Sequence, residues 1–532
     1  MLNNWPVLLP PCIVLLCAFI THRLNSALVL GIVSAAFIAV NFSFYDAASL
    51  TGKRIWQTVS DSDNLYLYTF LIVISIIIVL LNRTGGAFAF ATALTKRLRS
   101  KKMAETSSLM LSLTLFIDDY LNGLTIGYVM RPITDQFKIP RAKLAFLVQA
   151  MTSPLVILAP ISSWGAALTG ALEQAGITAI TAPHVKIIGD PFFVYMQSIP
   201  YIFYSFLMIG STWFIVHARI SFGSMHTHER IAHTTGNLFG GKDPLPHKFE
   251  KTTHPEGSMA DLLLPLISLI SLVLIGSLWT GDYYLFGGSK NLLDAFKYND
   301  KMLLILLISS IITLIISFIF AWLRNKIAIK HTASMIIEGF DLITSAIVMI
   351  ILAATLGTLL KSDLLTGEYL ATLLQGTLSA SLLPLMFFTI STITAFITGS
   401  SWGTIMLLAP IAVPMIIAFT QTSLPATADS LIYLLPVIGA IFSGAVCGNH
   451  ISPIADTTIM TATSSGSYPL DHAHTQFFYI APTIISSAIA YLLCGLLANH
   501  TPSIRILIPL SASITFNYLI LYVLNKLYKK QY

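Results

Sequence analysis

Two adjacent carboxylates, Asp118 and Asp119, stand in the middle of an apolar stretch of the chain. Their motif, FIDDYLNG, occupies residues 116–123 inside the apolar run 107–130. An ionisable side chain at membrane depth is costly, so it is rarely kept there without a partner or a task. The pair therefore indicates a functional site. The alternative is a surface loop between two ordinary helices, with both carboxylates in water.

Three further segments also combine helix breakers with polar side chains in apolar surroundings. They lie at 151–165, 398–404 and 448–458. A proline or glycine breaks the hydrogen-bond ladder of a helix and frees carbonyl groups, which together with hydroxyls and carboxylates form a site made of oxygen atoms. Hard cations such as Na⁺ prefer oxygen ligands, and the amino ends of half-helices suit an anion or a substrate carboxylate.

The polar residues of these four segments divide into two groups by their chemistry. We expect the aspartates Asp118, Asp119 and Asp456 to carry protons, because burial and a like-charged neighbour favour the protonated carboxyl whereas a cation favours the ionised one. The neutral side chains expected to bind the cation or substrate are Asn122, Ser153, Ser162, Ser163, Ser400, Ser401, Thr404, Asn449, Ser452 and Thr457. The direct ligands expected for a metal cation are Asp118, Asp456 and Ser401.

Each of these expectations has a structural alternative. Serine and threonine in membrane helices commonly bond back to their own helix or join neighbouring helices. Trp164 and Trp402 are expected to pack rather than to line a site, and His450 suits a proton carrier or a helix-end residue equally. Adjacent residues on a regular helix point about 100° apart, so at most one of Asp118 and Asp119 should face the site unless the backbone is unwound there.

The composition is that of a polytopic membrane protein. Of the 532 residues, 55% are hydrophobic and 10% are charged, against about 25% charged in a soluble domain. The net charge of +6 needs no nucleic-acid partner, because lysine and arginine concentrate in connecting segments, where membrane topology places them. The four cysteines have neither metal-type spacing nor a disulfide framework. The partner that the composition predicts is the lipid bilayer.

About eleven segments are long and apolar enough to be expected to cross the membrane. They are 6–21, 26–43, 64–82, 143–172, 191–217, 260–279, 302–323, 338–360, 430–460, 475–498 and 506–524. Two further apolar stretches, 106–130 and 383–420, do not fit simple crossings. With Arg23 on the cytoplasmic side, basic clusters before and after the Asp118–Asp119 motif also lie in the cytoplasm. We therefore expect a re-entrant hairpin with this motif near its tip.

The two halves of the chain repeat the same motifs in the same order. The motif at 116–123 has a counterpart at 396–403 (FITGSSWG), and APISSW at 159–164 has one in SPIADT at 452–457. With the orientation above the halves run in opposite directions, as in secondary transporters whose sites form from discontinuous helices. The predicted fold is an all-α polytopic membrane protein of two inverted repeats, each with a re-entrant hairpin and a broken transmembrane helix, and about eleven spanning helices plus the two hairpins.

The repeat divides the chain into four parts. We expect a first membrane repeat at 1–217, a cytoplasmic linker at 218–258, a second, inverted repeat at 259–500, and an extra C-terminal transmembrane helix with a basic tail at 501–532. Segment 84–98 suits a helix along the cytoplasmic interface. The linker is rich in histidine, so a metal-sensing loop is the alternative to an ordinary connection.

Several of these motifs, taken in order, resemble the NhaC-type Na⁺/H⁺ antiporter family. They are FIDDYLN at 116–122, MRPITD at 130–135, LAPISSW at 158–164, SPIADTT at 452–458 and DHAHTQ at 471–476. The resemblance implies a bacterial secondary transporter of the broader ion-transporter superfamily, multi-pass in the inner (cytoplasmic) membrane. It further implies Na⁺ as the transported or coupling ion, no cofactor and, by analogy, a homodimer. The family commonly has an acidic residue where Asn449 stands and serine where Ala455 stands, which leaves the three aspartates as the main candidates.

Two transport functions and one enzymatic function compete. The first is a Na⁺/H⁺ antiporter that exchanges Na⁺ for protons by alternating access at a midplane oxygen site. The second keeps the fold but couples Na⁺ or H⁺ to a small organic solute, either an organic acid or an amino acid. An intramembrane enzyme is not expected. The letters GSSWG at 399–403 match a Gly-x-Ser-x-Gly elbow, but that motif has meaning only on a strand-to-helix turn.

Overall fold

The computed structural model describes residues 5–21, 23–95, 98–178, 187–245, 257–297, 299, 301–324, 326–422 and 425–531. Lys96 and Arg97 of the predicted interfacial segment and the centre of the predicted linker, 246–256, lie outside these residues. The α-helices in chain order are α1 (Leu9–Thr21), α2 (Leu24–Ala39), α3 (Phe44–Ser60), α4 (Ser62–Arg83), α5 (Gly86–Thr95), α6 (Lys101–Thr114), α7 (Asp119–Gln136), α8 (Arg141–Leu158), α9 (Ser163–Gln174), α10 (Pro191–Ser198), α11 (Phe203–His217), α12 (Gly223–Thr235), α13 (Met259–Thr280), α14 (Leu292–Lys297), α15 (Met302–Leu323), α16 (Thr332–Thr358), α17 (Thr366–Leu374), α18 (Leu383–Thr398), α19 (Ser401–Thr420), α20 (Leu434–Ile451), α21 (Asp456–Ser465), α22 (Pro469–Leu496) and α23 (Pro502–Gln531).

The predicted fold class is confirmed: the chain is an all-α, multi-pass membrane protein. Within the described residues, ten helices are long and apolar enough to cross a membrane, and an eleventh span is present if α10 and α11, bent by 47°, count as one. The helices of this kind are α4, α8, α13, α15, α16, α18, α19, α20, α22 and α23. The predicted spans 6–21 and 26–43 appear as apolar helices that are shorter than these ten. The first covers Trp5–Thr21, close to its predicted bounds, and the second, α2, already ends at Ala39.

Both predicted hairpins and both predicted broken helices are present. Helices α6 and α7 meet at residues 115–118, and α18 and α19 meet at Gly399 and Ser400. The first broken helix, α8–α9, is interrupted at 159–162, and the second, α20–α21, at 452–455. The order hairpin, broken helix and following apolar span therefore occurs once in each half of the chain.

A small β-sheet shows that the two hairpins open towards opposite ends of the molecule. Strand β1 (Ile177–Thr178) follows the first broken helix, β2 (Ile187–Ile188) pairs with it, and β3 (Ala426–Thr427) follows the second hairpin. The first hairpin leads directly into the N-terminal end of α8. The sheet joins the C-terminal end of α9 to the C-terminal end of α19, which is the base of the second hairpin. The bases of the two hairpins are thus separated by the full length of a broken helix, as inverted repeats require.

A buried ion network fastens the base of the first hairpin to the helix that follows the first repeat. Lys143 on α8 lies 3.0 Å from Glu105 on α6 and 2.5 Å from Glu229 on α12. Arg219 contacts the other oxygen of Glu105 at 2.6 Å, and Lys101 lies 3.2 Å from Glu229. Burial alone would raise the pKa of Glu229, but attraction to Lys143 and Lys101 outweighs it and lowers that pKa to about 2.

Replacing Glu229 should destabilise the protein and weaken the dependence of its stability on pH. A carboxyl whose pKa is lowered on folding stabilises the protein above its unfolded pKa and ceases to do so as the pH falls towards its folded pKa. With a shift from 4.5 to about 2, this amounts to about 3 kcal/mol at neutral pH. We expect Glu229→Gln to lower the melting temperature in detergent at pH 7, and the variant to lose less stability than the wild type between pH 7 and pH 4.

The matched control is Glu338→Gln, which removes the exposed partner of Arg83 at 2.8 Å. Exposed ion pairs contribute about 0–1 kcal/mol, so this variant should melt close to the wild type. Equal melting temperatures for the two variants would contradict a stabilising role for the buried network.

Candidate functional site

A central cavity of about 550 Å³ lies where the two hairpin tips and the two helix breaks meet. Helices α2, α4 and α16 close its remaining sides. The residues that line it at the tips and breaks are Asp118, Asp119, Tyr120, Ser163, Trp164, Gly399, Ser400, Ser401, Trp402, Asn449, Ile454, Asp456, Thr457 and Ile459. All three aspartates predicted to carry protons thus line one cavity, although they come from different repeats.

The first hairpin presents both of its aspartates to the cavity because its backbone is unwound. Asp118 is extended (φ −151°, ψ 142°) and caps α7, accepting a hydrogen bond from the Leu121 amide at 3.0 Å. Asp119 is the first residue of the helix, so regular helical spacing does not separate the two side chains. The Ser163 amide donates to the Ile117 carbonyl at 3.0 Å, which fixes the hairpin tip to the first helix break.

Tyr120 joins the first hairpin to the second broken helix, and sequence reasoning did not identify it. Its hydroxyl donates to Asp456 Oδ2 at 2.8 Å. Asp456 opens α21, and its other oxygen accepts from the Thr457 amide at 2.8 Å. The position of Tyr120 directly after two aspartates could have drawn attention to it, but the partner of its hydroxyl lies 336 residues away in sequence.

The second hairpin contributes hydroxyls and a tight turn. Ser400 caps α19 and accepts from the Gly403 amide at 3.2 Å, and Ser401 Oγ donates to the Ala445 carbonyl at 3.0 Å. Gly399 has φ +66°, and a Cβ atom there would lie 3.1 Å from the Ile454 carbonyl oxygen. The tip therefore needs glycine both for its backbone conformation and for its close approach to the second helix break.

Asn449 holds the second hairpin and the second broken helix together. Its Oδ1 accepts a hydrogen bond from the Thr457 hydroxyl, and its Nδ2 donates to the Gly399 carbonyl at 3.4 Å. The same Nδ2 lies 3.5 Å from Asp456 Oδ1. An amide thus stands beside Asp456 at the position where the family that the chain resembles commonly has an acid.

Five of the neutral residues predicted to bind cation or substrate lie outside the cavity lining. They are Asn122, Ser153, Ser162, Thr404 and Ser452. Four of them form hydrogen bonds that stabilise the hairpins and the helix breaks. Asn122 Nδ2 donates to the carbonyls of Ser112 and Leu115, at 2.9 and 3.2 Å, and so closes the first hairpin.

The other buried hydroxyls of this group act in the same way. Ser162 caps α9 by accepting from the Gly165 amide at 3.0 Å, and Thr404 donates to the Ser400 carbonyl at 2.8 Å. Ser452 donates across to the Phe396 carbonyl at 2.8 Å. Ser153 Oγ is buried, and the described part of the chain supplies no hydrogen-bond partner for it.

A buried polar layer lies behind the second break and was not predicted. Gln149 Nε2 donates to Thr458 Oγ1 at 2.7 Å, and its Oε1 accepts from His472 Nε2 at 2.6 Å. His450, at the end of α20, lies with its Nδ1 2.9 Å from the Tyr204 hydroxyl. His450 is therefore buried beside this layer instead of lining the cavity.

The predicted direct ligands of a metal cation, Asp118, Asp456 and Ser401, all line the central cavity. Within the described residues, no three His, Cys, Asp or Glu side chains are grouped closely enough to hold one metal ion. A cation bound at this place would therefore need hydroxyl, carbonyl or water oxygens besides carboxylates. That donor set suits a weakly held, exchangeable Na⁺ better than a resident divalent metal.

Two tryptophans were predicted to pack rather than to line a site. They pack against each other, but they also line the cavity. The rings of Trp164 and Trp402, one from each repeat, meet edge to face with centroids 5.8 Å apart. Trp164 Nε1 and the neighbouring Ser163 Oγ are buried close to the carboxyl groups of Asp119 and Asp118. Arg23, at the turn between α1 and α2, also lines the cavity, so the basic residue used to orient the chain stands near the carboxylates.

The fold is shared with two transporters of known structure. The YdaH transporter of Alcanivorax borkumensis superposes with a TM-score of 0.52 at 15% identity, over 82% of this chain and 90% of that one. MtrF of Neisseria gonorrhoeae, described as illuminating a class of antimetabolite efflux pumps, gives a TM-score of 0.54 at 16% identity, over 92% of this chain and 95% of that one. At this level of identity the likeness concerns the fold alone.

Comparisons of sequence identify the family. An uncharacterised protein of Haemophilus influenzae is 31% identical over 418 residues, which cover 77% of this chain and 75% of that protein. The model of the Na⁺/H⁺ antiporter family matches residues 155–496, a region that includes the first helix break, the second hairpin and Asp456. The chain therefore belongs to the Na⁺/H⁺ antiporter family of secondary transporters.

Proposed function

We propose that the protein exchanges Na⁺ for protons across the bacterial inner membrane by alternating access, as an NhaC-type antiporter. One observation carries the proposal: Asp118 and Asp119 from the first repeat and Asp456 from the second converge on one central cavity. A Tyr120–Asp456 hydrogen bond joins the two repeats directly at this point.

The chemistry of exchange follows from the shared carboxylates. Three aspartates that line one cavity, two of them buried, disfavour the state in which all are ionised and uncompensated. Either protons or a cation can compensate them, and the two compete for the same oxygens. Binding of Na⁺ releases protons, and binding of protons releases Na⁺, so each ion leaves on the side where the other is abundant.

The arrangement of the breaks provides the means to change access. The hairpins open towards opposite ends of the molecule, and their tips meet at the cavity. Movement of one tip relative to the other exposes the same aspartates to one side or to the other. The site stays fixed while its access changes, as in other transporters built from inverted repeats.

A second function is favoured by the volume of the cavity. At about 550 Å³, it falls in the range of about 300–1,000 Å³ that is typical of sites for organic molecules. The capped amino ends of α9 and α19 present backbone N–H groups near it, which suit a carboxylate. On this alternative, Na⁺ or H⁺ drives the transport of an organic acid or an amino acid through the same site.

Neutralising the aspartates one at a time should strongly reduce Na⁺-dependent currents. We expect Asp118→Asn, Asp119→Asn and Asp456→Asn each to reduce the current evoked by a Na⁺ jump on a solid-supported membrane by at least about tenfold. The loss of one charged ligand costs at least about 1.4 kcal/mol, which is a factor of ten. The control is Asp294→Asn, because Asp294 is hydrogen-bonded to Asn291 and lies outside the cavity. Full currents in all three variants would show that the site lies elsewhere.

Removing the Tyr120 hydroxyl should weaken Na⁺ binding without preventing transport. In Tyr120→Phe the ring remains, but Asp456 loses a hydrogen bond worth about 1 kcal/mol that positions it. We expect the Na⁺ concentration for half-maximal current to rise about fivefold. Tyr128→Phe, on the same helix and outside the cavity lining, should leave this concentration unchanged. An unaltered Na⁺ dependence in Tyr120→Phe would argue that the bond plays no part in the site.

A further inference from the structure

The central cavity is much larger than a bare cation requires. A single water molecule occupies about 30 Å³ in the liquid, and Na⁺ with its immediate ligands needs little more than a few such spaces. The cavity volume of about 550 Å³ leaves most of the space unused by Na⁺. The remaining volume must be filled by water or by the body of a larger cargo.

The charge of the cavity selects among larger cargoes. Asp118, Asp119 and Asp456 supply three acidic groups, and Arg23 supplies the one basic group among the residues that line it. An organic anion would meet an excess of carboxylates. A cargo that carries a positive charge can compensate them in the same way as Na⁺.

The walls of the cavity are suited to an apolar body. Leu71, Ile74 and Ile78 line it from α4, and Ile343 and Met349 line it from α16. These side chains offer no ligand to a hydrated metal ion, but they remove apolar groups of a cargo from water at about 25 cal/mol per Å².

Aromatic rings also line the cavity. Trp164 and Trp402 meet there edge to face, and Tyr120 lines the same cavity with its hydroxyl on Asp456. Rings of this kind attract organic ammonium groups through their faces, with tryptophan the most effective. Carboxylates and aromatic rings in one cavity are therefore the recognition elements of an organic ammonium ion.

We propose that the central cavity takes an organic ammonium ion with an apolar body, which the protein exchanges for protons in the same acidic cavity that is proposed for Na⁺. This inference rests on the proposed cation–proton exchange and extends its cargo. The ammonium group lies among the aspartates and against Trp402, and the apolar body lies along α4 and α16. No covalent step is involved: protons leave the carboxyl groups as the organic cation arrives.

Benzyltrimethylammonium is the probe, because it has an apolar ring and a fixed charge and cannot itself carry protons across a bilayer. The full chain is reconstituted into liposomes with an acidic interior, an entrapped pH-sensitive dye and the membrane potential clamped with K⁺ and valinomycin. Addition of the probe outside should raise the internal pH in a saturable manner, and protein-free liposomes should not respond. Na⁺ is added to a parallel sample of the same liposomes.

The responses to Na⁺ and to the probe distinguish the organic-ammonium inference from the proposed Na⁺/H⁺ exchange. If Na⁺ drives proton efflux and the probe does not, the organic-ammonium inference is overturned while Na⁺/H⁺ exchange stands. A response to the probe without a response to Na⁺ supports the inference and removes Na⁺ from the proposed function. If neither cation drives proton efflux, both proposals fail.

A tryptophan variant tests the recognition element itself. We expect Trp402→Ala to lower the ratio of the probe-driven rate to the Na⁺-driven rate by about fivefold, because the attraction of the ring for an ammonium group is lost. Trp279→Ala, whose side chain is 71% exposed at the end of α13 and lies away from the cavity, should leave the ratio unchanged. An unchanged ratio in Trp402→Ala would overturn the assignment of the aromatic wall to the organic cation.

Discussion

The rest of the structure depends on one electrostatic constraint: three carboxyl groups, two of them buried, line one cavity and are compensated together. Asp118 and Asp119 are only 6% and 4% exposed, so bulk water screens them poorly, whereas Asp456 is exposed. Protons, a metal cation or an organic cation can each supply the compensation. In the proposed function, exchange follows from competition for the same oxygens and requires no separate coupling device.

Helix breaks make this constraint compatible with a membrane protein. A regular helix would separate Asp118 from Asp119 and would bond all of its own backbone groups. The unwound stretch at Asp118 turns both side chains to the cavity, and the tip at Gly399 meets the second break closely enough that a side chain there would strain the backbone and displace the Ile454 carbonyl. Irregular backbone is tolerated at such depth only when it is buried in protein or lines a cavity, and here it does both.

Much of the fold could be predicted from the sequence because its signals are local. Pro160, Gly399 and Pro453 located three of the breaks, whereas Pro154 lies inside the continuous helix α8. The basic flanks of the first hairpin indicated its re-entrant course. Hydrophobic length located most spans. The end of α1 at residue 21 was predicted, but α2 ends at Ala39 and not at residue 43. The position of Arg23 at the cavity could not be predicted, because counting positive charges cannot tell a surface loop from a turn that lines a site.

The candidate site was only partly predictable because its contacts cross between repeats. Nothing near Tyr120 in sequence indicates Asp456 as the partner of its hydroxyl. Asn122 resembles a ligand in sequence, yet its amide bonds to carbonyls at the turn of its own hairpin. The roles of Trp164 and Trp402 depend on the two repeats bringing their rings together, and composition alone carries no information on such a contact.

The most direct test of the account is the pH dependence of Na⁺ binding by the wild-type protein. Na⁺-jump currents on a solid-supported membrane give the Na⁺ concentration for half-maximal current at a series of pH values. Competition at shared carboxylates predicts that, towards acidic pH, this concentration rises about tenfold per pH unit for each proton displaced, while the maximal current at saturating Na⁺ is retained. A half-maximal concentration that does not change with pH would contradict the claim that Na⁺ and protons compete for the same aspartates.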